Sequence, residues 1–473
     1  MPSTEMSQPA PASDGRAGVR PVDEMFAEAC RHFDKGNLAE AARLCHAVVD
    51  TRRDHGPGFQ MLGALAYRQK RFGLSADFFR QAALLMPGDF KARSNLATAL
   101  NALGCHGAAA AHLRNVLAAM PELAAAHYNL GNTLQRLHRF DGAAACYQRV
   151  LALDPEHVDA HWNLALVLLR MGRFGEGWPE YEWRWRRPGT PVEHRNAPAW
   201  DGGPLDGRTL LLVCEQGLGD TIQFARYLPL AAARGGPVIL RCQPELRRLL
   251  SGFPGVARII TRDEPLPAFD VQSSLMSLPG LFGTSPDTIP NRVPYLPGPD
   301  GPGPVLPDGD ARKAAPGGGL RVGVVWGSSP TDPSRSCPLD TLLALGRLPG
   351  VRLFSLQKGS HAADLGRTPD AGCIEDLSDR IHDMADTAAI VRQLDLVVTV
   401  DTSVAHLAGA LGRPTWILLP HLADWRWLVD REDCPWYPTA RLFRQTTPGD
   451  WGGVFARVLP ALEQWVSSAG ERS

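Results

Sequence analysis

Residues 209–227, TLLLVCEQGLGDTIQFARY, pass from a continuous apolar run to a glycine-bearing loop and then to a helix-like segment with Asp220 at the turn. Leu210, Leu211, Leu212 and Val213 suit a strand buried on both faces, the pattern of a parallel sheet covered by helices. Gly217 and Gly219 let the backbone turn tightly and approach a ligand closely. A ligand outside the strand's carboxyl end would then meet the N-terminus of the next helix. Asp220 reads in two ways, as a helix cap or as a carboxylate placed for proton transfer.

The same logic returns in residues 394–419, LDLVVTVDTSVAHLAGALGRPTWILL. Leu396 to Val400 form the strand, and Asp401, Thr402 and Ser403 are the N-cap candidates. Val404, Leu407, Ala408 and Leu411 share one helical face, which Gly412 and Pro414 end. Two strand-loop-helix crevices in one region predict two α/β domains. Between them, strands are expected at Val238 to Cys242, Arg258 to Thr261 and Phe269 to Gln272, with a helix in PELRRLLSGF. After the Gly/Pro-rich linker 297–319, strands are expected at Leu320 to Trp326, Val351 to Leu356, Leu396 to Val400 and Thr415 to Leu419. Residues 450–466 read as a closing helix.

The chain ahead of this region is repetitive. Pro87, Pro121 and Pro155 lie 34 residues apart. Residues 124–157, AAAHYNLGNTLQRLHRFDGAAACYQRVLALDPEH, resemble a tetratricopeptide repeat (TPR) at almost every diagnostic position. Leu130, Gly131 and Leu134 line the first helix, Ala143 and Tyr147 let the second pack closely, and Pro155 closes the unit. Similar units start near Val22, Gly56, Phe90 and Val158, about five in all. The last departs from the pattern, with Gly177 for the usual alanine, Pro179 inside the second helix, and Trp183-Arg184-Trp185-Arg186-Arg187 following. The expected organisation is a tail at 1–21, an array at 22–187, a joint at 188–207, α/β domains at 208–296 and 320–467, and the linker between them. The array and the α/β region are expected to hold separate cores, so that a fragment from Pro198 would fold.

With 49 basic and 50 acidic side chains, no net field recruits nucleic acid or an anionic membrane. The arginines from Arg184 to Arg195 read as a solvated helix exit. No segment reads as transmembrane, and the Pro-, Ser- and Ala-rich N-terminal stretch lacks a signal peptide's apolar core and reads as disordered. Nine cysteines without C-x-x-C spacing fit a reducing cytoplasm. Cys214, beside the glycine loop, has no basic partner visible in sequence and reads as a small buried hydrophobe. The one D-x-D, Asp308-Gly309-Asp310, falls in the linker, so no metal site is expected.

Leu218-Gly219-Asp220 and the segment Asp401 to Pro414, with its ordered Asp, Ser, His, Gly and Pro, resemble the motifs of GT-B glycosyltransferases, specifically the heptosyltransferase-like family 9. The resemblance covers roughly residues 205–465. In domain order the chain is also similar to the TPR-bearing O-linked N-acetylglucosamine transferases. These likenesses imply an α + α/β chain, a TPR α-solenoid followed by two Rossmann-like domains, whose closing helix crosses back to the first of them. They imply metal-independent, inverting sugar transfer from a nucleotide-diphosphate sugar, with no further cofactor, to a protein or saccharide hydroxyl. Asp220 is then the general base. Gly217, Gly219, Gly327, Ser328, Arg335, Lys358, Thr402, Ser403 and His406 are the expected donor-binding residues. Asp401 is expected to cap its helix instead, because a carboxylate beside a diphosphate repels it. The concave face of the array is expected to hold a protein partner or acceptor. The alternative is a non-catalytic TPR scaffold or nucleotide-sugar sensor. Trp425, Trp427 and Trp436 read as core or loop packing, or else as walls of the nucleotide or acceptor pocket.

Overall fold

The computed structural model describes residues 21–190, 197–298, 303–307 and 319–470. The expected N-terminal tail, Arg195, the D-x-D and much of the linker lie outside the described residues. Two compact units emerge, 1–155 and 156–473.

The first unit is built of antiparallel helix pairs: α1 (Val22–Asp34) with α2 (Leu38–Thr51), α3 (Gly56–Arg68) with α4 (Phe72–Leu85), α5 (Phe90–Ala102) with α6 (His106–Ala119), and α7 (Ala124–Arg136) with α8 (Phe140–Leu153). The leading helix of each pair begins 34 residues after the last. Each inter-helix turn needs one left-handed residue, supplied by Gly36, Lys70, Gly104 and His138. Close packing within a pair rests on a missing side chain: a Cβ on Gly131 would stand 2.7 Å from the Tyr147 ring, and one on Gly63 equally close to Phe79.

The second unit opens with a fifth pair, α9 (Val158–Arg170) and α10 (Phe174–Tyr181), which runs into a tight 3-10 turn, Glu182–Arg186. Its position is set by its side chains. Arg170 donates from Nη2 to the Ala423 carbonyl at 3.0 Å, and Trp178 donates from Nε1 to the Thr284 carbonyl at 2.9 Å. Phe174, Trp178 and Tyr181 pack edge-on against Trp425. The fifth pair therefore shares the core of the α/β region, and the expected separation of cores at Pro198 does not hold.

Two parallel sheets follow. The first has the order β3-β2-β1-β4, from β1 (Leu210–Val213), β2 (Val238–Cys242), β3 (Val256–Thr261) and β4 (Val271–Ser274). It carries the short helices α11 (Leu218–Phe224), α12 (Leu228–Ala232), α13 (Arg247–Leu250) and α14 (Leu278–Leu281). The second has the order β10-β9-β8-β5-β6-β7, from β5 (Leu320–Val325), β6 (Val351–Ser355), β7 (Ile374–Asp376), β8 (Leu396–Val400), β9 (Thr415–Leu419) and β10 (Ala440–Arg444). Its helices are α15 (Leu339–Gly346), α16 (Met384–Val391), α17 (Ser403–Ala410) and α18 (Trp451–Gly470). Strand β8 is buried along its whole length, as its Val-rich run requires. The last helix does not cross back: Trp451, Val454, Phe455, Val458 and Leu462 join the core under the second sheet, with Val322, Leu342 and Trp416. Its apolar stripe finds the nearest uncovered sheet face, which is its own.

Among the described residues, no helix is long and apolar enough to cross a membrane.

Candidate functional site

In an open α/β sheet, neighbouring strands whose connections leave in opposite directions open a crevice at their carboxyl ends. In the second sheet that point lies between β5 and β8. The loop after β5 brings Gly327, Ser328 and Arg335 there; the loop after β8 brings Asp401, Thr402 and Ser403; the end of β6 brings Lys358. The glycine loop after β1 faces them with Gly217, Gly219 and Asp220, and the whole encloses a cleft of about 550 Å³. Its two sides touch where α11 meets α17: a Cβ on Gly219 would lie 2.7 Å from the His406 ring and 3.3 Å from the Ser403 backbone. Gly219 thus serves a helix-helix approach as well as lining the cleft.

Thr402 is the N-cap of α17, and no side chain caps that helix. The expected cap, Asp401, is turned away from it. The Asp401 carboxylate accepts from Arg335 Nη1 at 3.3 Å instead. Burial, and the Asp424 carboxylate nearby, push Asp401 up to about 6, against the pull of Arg335. The first amides of α17 are left for another acceptor. Arg335 Nε is buried without a hydrogen-bond partner among the described residues. Lys358 is exposed on the cleft and donates from Nζ to the Ser378 carbonyl at 2.7 Å. The Gly327 and Trp326 amides both donate to Gln357 Oε1, and the Ser328 amide donates to Ser336 Oγ. Gln357, which also lines the cleft, was not expected from the sequence, where it carries no motif signal.

Asp220 uses both oxygens. Oδ2 accepts from the Gly217 amide at 2.8 Å, and Oδ1 accepts from Arg426 Nη2 at 2.6 Å. Arg426 is buried, and it also donates to Asp424 Oδ1 at 2.8 Å and Gln223 Oε1 at 2.8 Å. Although burial acts to raise it, Asp424 is held below the usual carboxylate range by Arg426. Asp220, Arg426 and Asp424 thus form a chain of alternating charge in which the buried guanidinium joins two partly exposed carboxylates. Arg426 comes from the aromatic segment after β9, more than two hundred residues from Asp220, and no local pattern pairs them.

His406 lines the cleft with Thr402 and Ser403, and it is packed. Its Nδ1 lies 2.9 Å from the Tyr437 hydroxyl, its ring stacks on Trp427, and burial pushes its pKa down to about 3. Trp425, Trp427 and Trp436 are fully buried, so they form core, not pocket wall. Cys214 is buried and its thiol is pushed well up by that burial, in keeping with a packing role.

The arginine-rich exit of the fifth pair is also not solvated throughout. Arg184 is buried and donates from Nε to Glu215 Oε1 at 3.0 Å and from Nη1 to Glu182 Oε1 at 2.6 Å. Arg186 and Arg187 lie over the rings of Trp183 and Trp162. The distant Glu215 carboxylate draws Arg184 inward, while Arg186 and Arg187 stay at the surface over their indole rings.

Among the described residues, no group of three or more His, Cys, Asp and Glu side chains is placed to hold a metal ion.

Residues 128–182 match the tetratricopeptide repeat family. That match spans the fourth and fifth helix pairs, and the three pairs before them keep the same 34-residue period. Over 323 residues, 62% of its length, the chain is 28% identical to protein FlbA of Caulobacter vibrioides. The chain spans 53% of that relative. Among solved structures, MamA from Desulfovibrio magneticus RS-1 is similar at 19% identity, covering 35% of this chain and 92% of its own, with a TM-score of 0.32. YrrB, described as a TPR protein with an unusual peptide-binding site, is similar at 15% identity, covering 34% and 84%, with a TM-score of 0.31.

Proposed function

We propose that the chain is a GT-B glycosyltransferase that binds a nucleotide-diphosphate sugar in the cleft and passes the sugar to an acceptor hydroxyl. The observation that carries this reading is the convergence of Arg335, Lys358 and the uncapped amides of α17 at the carboxyl ends of β5, β6 and β8. Two cations and a helix N-terminus facing one cleft suit a diphosphate and stabilise it as a leaving group. Thr402 and Ser403 supply the hydroxyls and first amides, and Gly327 and Ser328 form the opposite wall.

In this mechanism Asp220 takes the proton of the acceptor hydroxyl as that oxygen attacks the anomeric carbon. The bond from that carbon to the diphosphate breaks, its electron pair leaves with the nucleoside diphosphate, and the configuration inverts. Arg426 fixes the carboxylate toward the cleft. No resident cofactor or metal enters this reading. The TPR repeats supply a surface for a protein partner or for the acceptor.

One observation favours a second reading, a nucleotide-sugar sensor without turnover: both oxygens of Asp220 are already engaged. Titration calorimetry with UDP-, GDP-, ADP- and dTDP-sugars, followed by a hydrolysis assay on any that bind, separates the two. Slow hydrolysis of one donor supports the transferase. Binding without turnover supports the sensor, and no binding to any refutes the cleft assignment.

A further inference from the structure

A second cavity, of about 510 Å³, lies on the other side of the β1–α11 loop. It opens at the carboxyl ends of β1 and β4, where the connections of the first sheet diverge, the position at which open α/β sheets bind ligands. Glu215 lines this cavity and Gly217 lines the donor cleft, so two residues of chain, at most about 7 Å, separate the two sites.

Three tryptophans form its apolar part, and their polar atoms are already used. The indole N–H of Trp178 donates to the Thr284 carbonyl, that of Trp185 to Glu182, and that of Trp200 to the Gly203 carbonyl. Trp185 offers carbon surface, whereas Trp178 and Trp200 are buried and close the cavity behind it. The remaining wall mixes acceptors and donors, Glu182 and Glu215 against Arg262 and Gln272. Two carboxylates face Arg262 and the buried Arg184 behind them, so the lining selects for neither anion nor cation. Burial pushes Glu215 up, against the pull of Arg184, which suits hydrogen bonding to neutral hydroxyls. A polypeptide strand has no edge to join here, because residues 198–200 already pair with β4: the Trp200 amide donates to the Gln272 carbonyl, and the Gln272 amide to the Pro198 carbonyl.

We propose that this cavity is the acceptor subsite and that it takes a neutral saccharide unit, whose C–H face meets the Trp185 indole and whose hydroxyls meet the carboxylates and amide. Its role as acceptor site rests on the transferase reading; its capacity to bind saccharide does not.

The test uses the full chain, with cellobiose, chitobiose and maltose as probes in saturation-transfer NMR and tryptophan fluorescence. One of them is expected to bind. Trp185→Ala should weaken that binding about tenfold or more and Trp185→Phe should restore most of it, while Lys358→Ala leaves it unchanged. Gln272→Ala, which spares the aromatic wall, should weaken it as well. Nucleoside diphosphate binding should show the reverse dependence. Absence of saccharide binding, binding that survives both Trp185→Ala and Gln272→Ala, or occupancy by a Ser- and Thr-rich peptide alone overturns the proposal. Saccharide binding in a protein that binds no nucleotide overturns the transferase reading and leaves the subsite standing.

Discussion

Replacing Asp220 by Asn tests the catalytic reading and the geometry together. From sequence, Asn appears an innocent substitute, since it caps helices as well as Asp does. The structure changes that expectation. Both carboxylate oxygens accept hydrogen bonds, one from the Gly217 amide and one from Arg426. An amide has a single oxygen, so its NH2 must face one of these donors. The lost bond to a charged, buried partner costs about 1–3 kcal/mol, and Asp424 keeps Arg426 from being left wholly unpaired. The melting temperature is therefore expected to fall by about 1–5 °C. Turnover, measured well below that transition, is expected to fall by roughly 10²–10⁴ with donor affinity nearly unchanged. Turnover within about threefold of the parent would refute Asp220 as the base. An unchanged melting temperature would refute the account of its two hydrogen bonds.

Arg335→Ala and Lys358→Ala are each expected to weaken nucleoside diphosphate binding by about 1.5–3 kcal/mol in calorimetry, and unchanged affinity in both would place the diphosphate elsewhere. A fragment beginning at Glu156 is expected to fold, whereas one beginning at Pro198 should aggregate or melt early, because it lacks Phe174, Trp178 and Tyr181 from the shared core; equal melting of the two fragments would contradict this. His406 has a folded pKa of about 3 against an unfolded value near 6.5, so the unfolded chain binds the extra proton as pH falls through 6.5. Its contribution is then full stability above about pH 6.5 and progressive loss below it, and His406→Gln should flatten the acid limb of a melting-temperature profile; an unaltered profile would show that His406 does not titrate in this way.

The sequence by itself determined whatever depends on near neighbours. The 34-residue spacing of Pro87, Pro121 and Pro155 set the helix pairs, since each repeat is a local unit, and the apolar runs at 210–213 and 396–400 announced buried parallel strands. The glycine loop and the Thr402–Ser403 helix start were legible because a strand, a turn and a helix follow one another in the chain. Strand β7 was missed because it has only three residues, and β10 because arginines take two of its five positions; the places of both are fixed by neighbours in the sheet. Only the tertiary structure decided the rest: that Asp401 pairs with Arg335 instead of capping α17, that Arg426 reaches Asp220, that Arg184 is buried against Glu215, and that the fifth repeat belongs to the α/β core. Each of these is a buried charge or aromatic ring whose partner lies tens to hundreds of residues away. Burial makes such groups accept whichever partner the fold brings within reach, and spacing along the chain carries no record of that meeting.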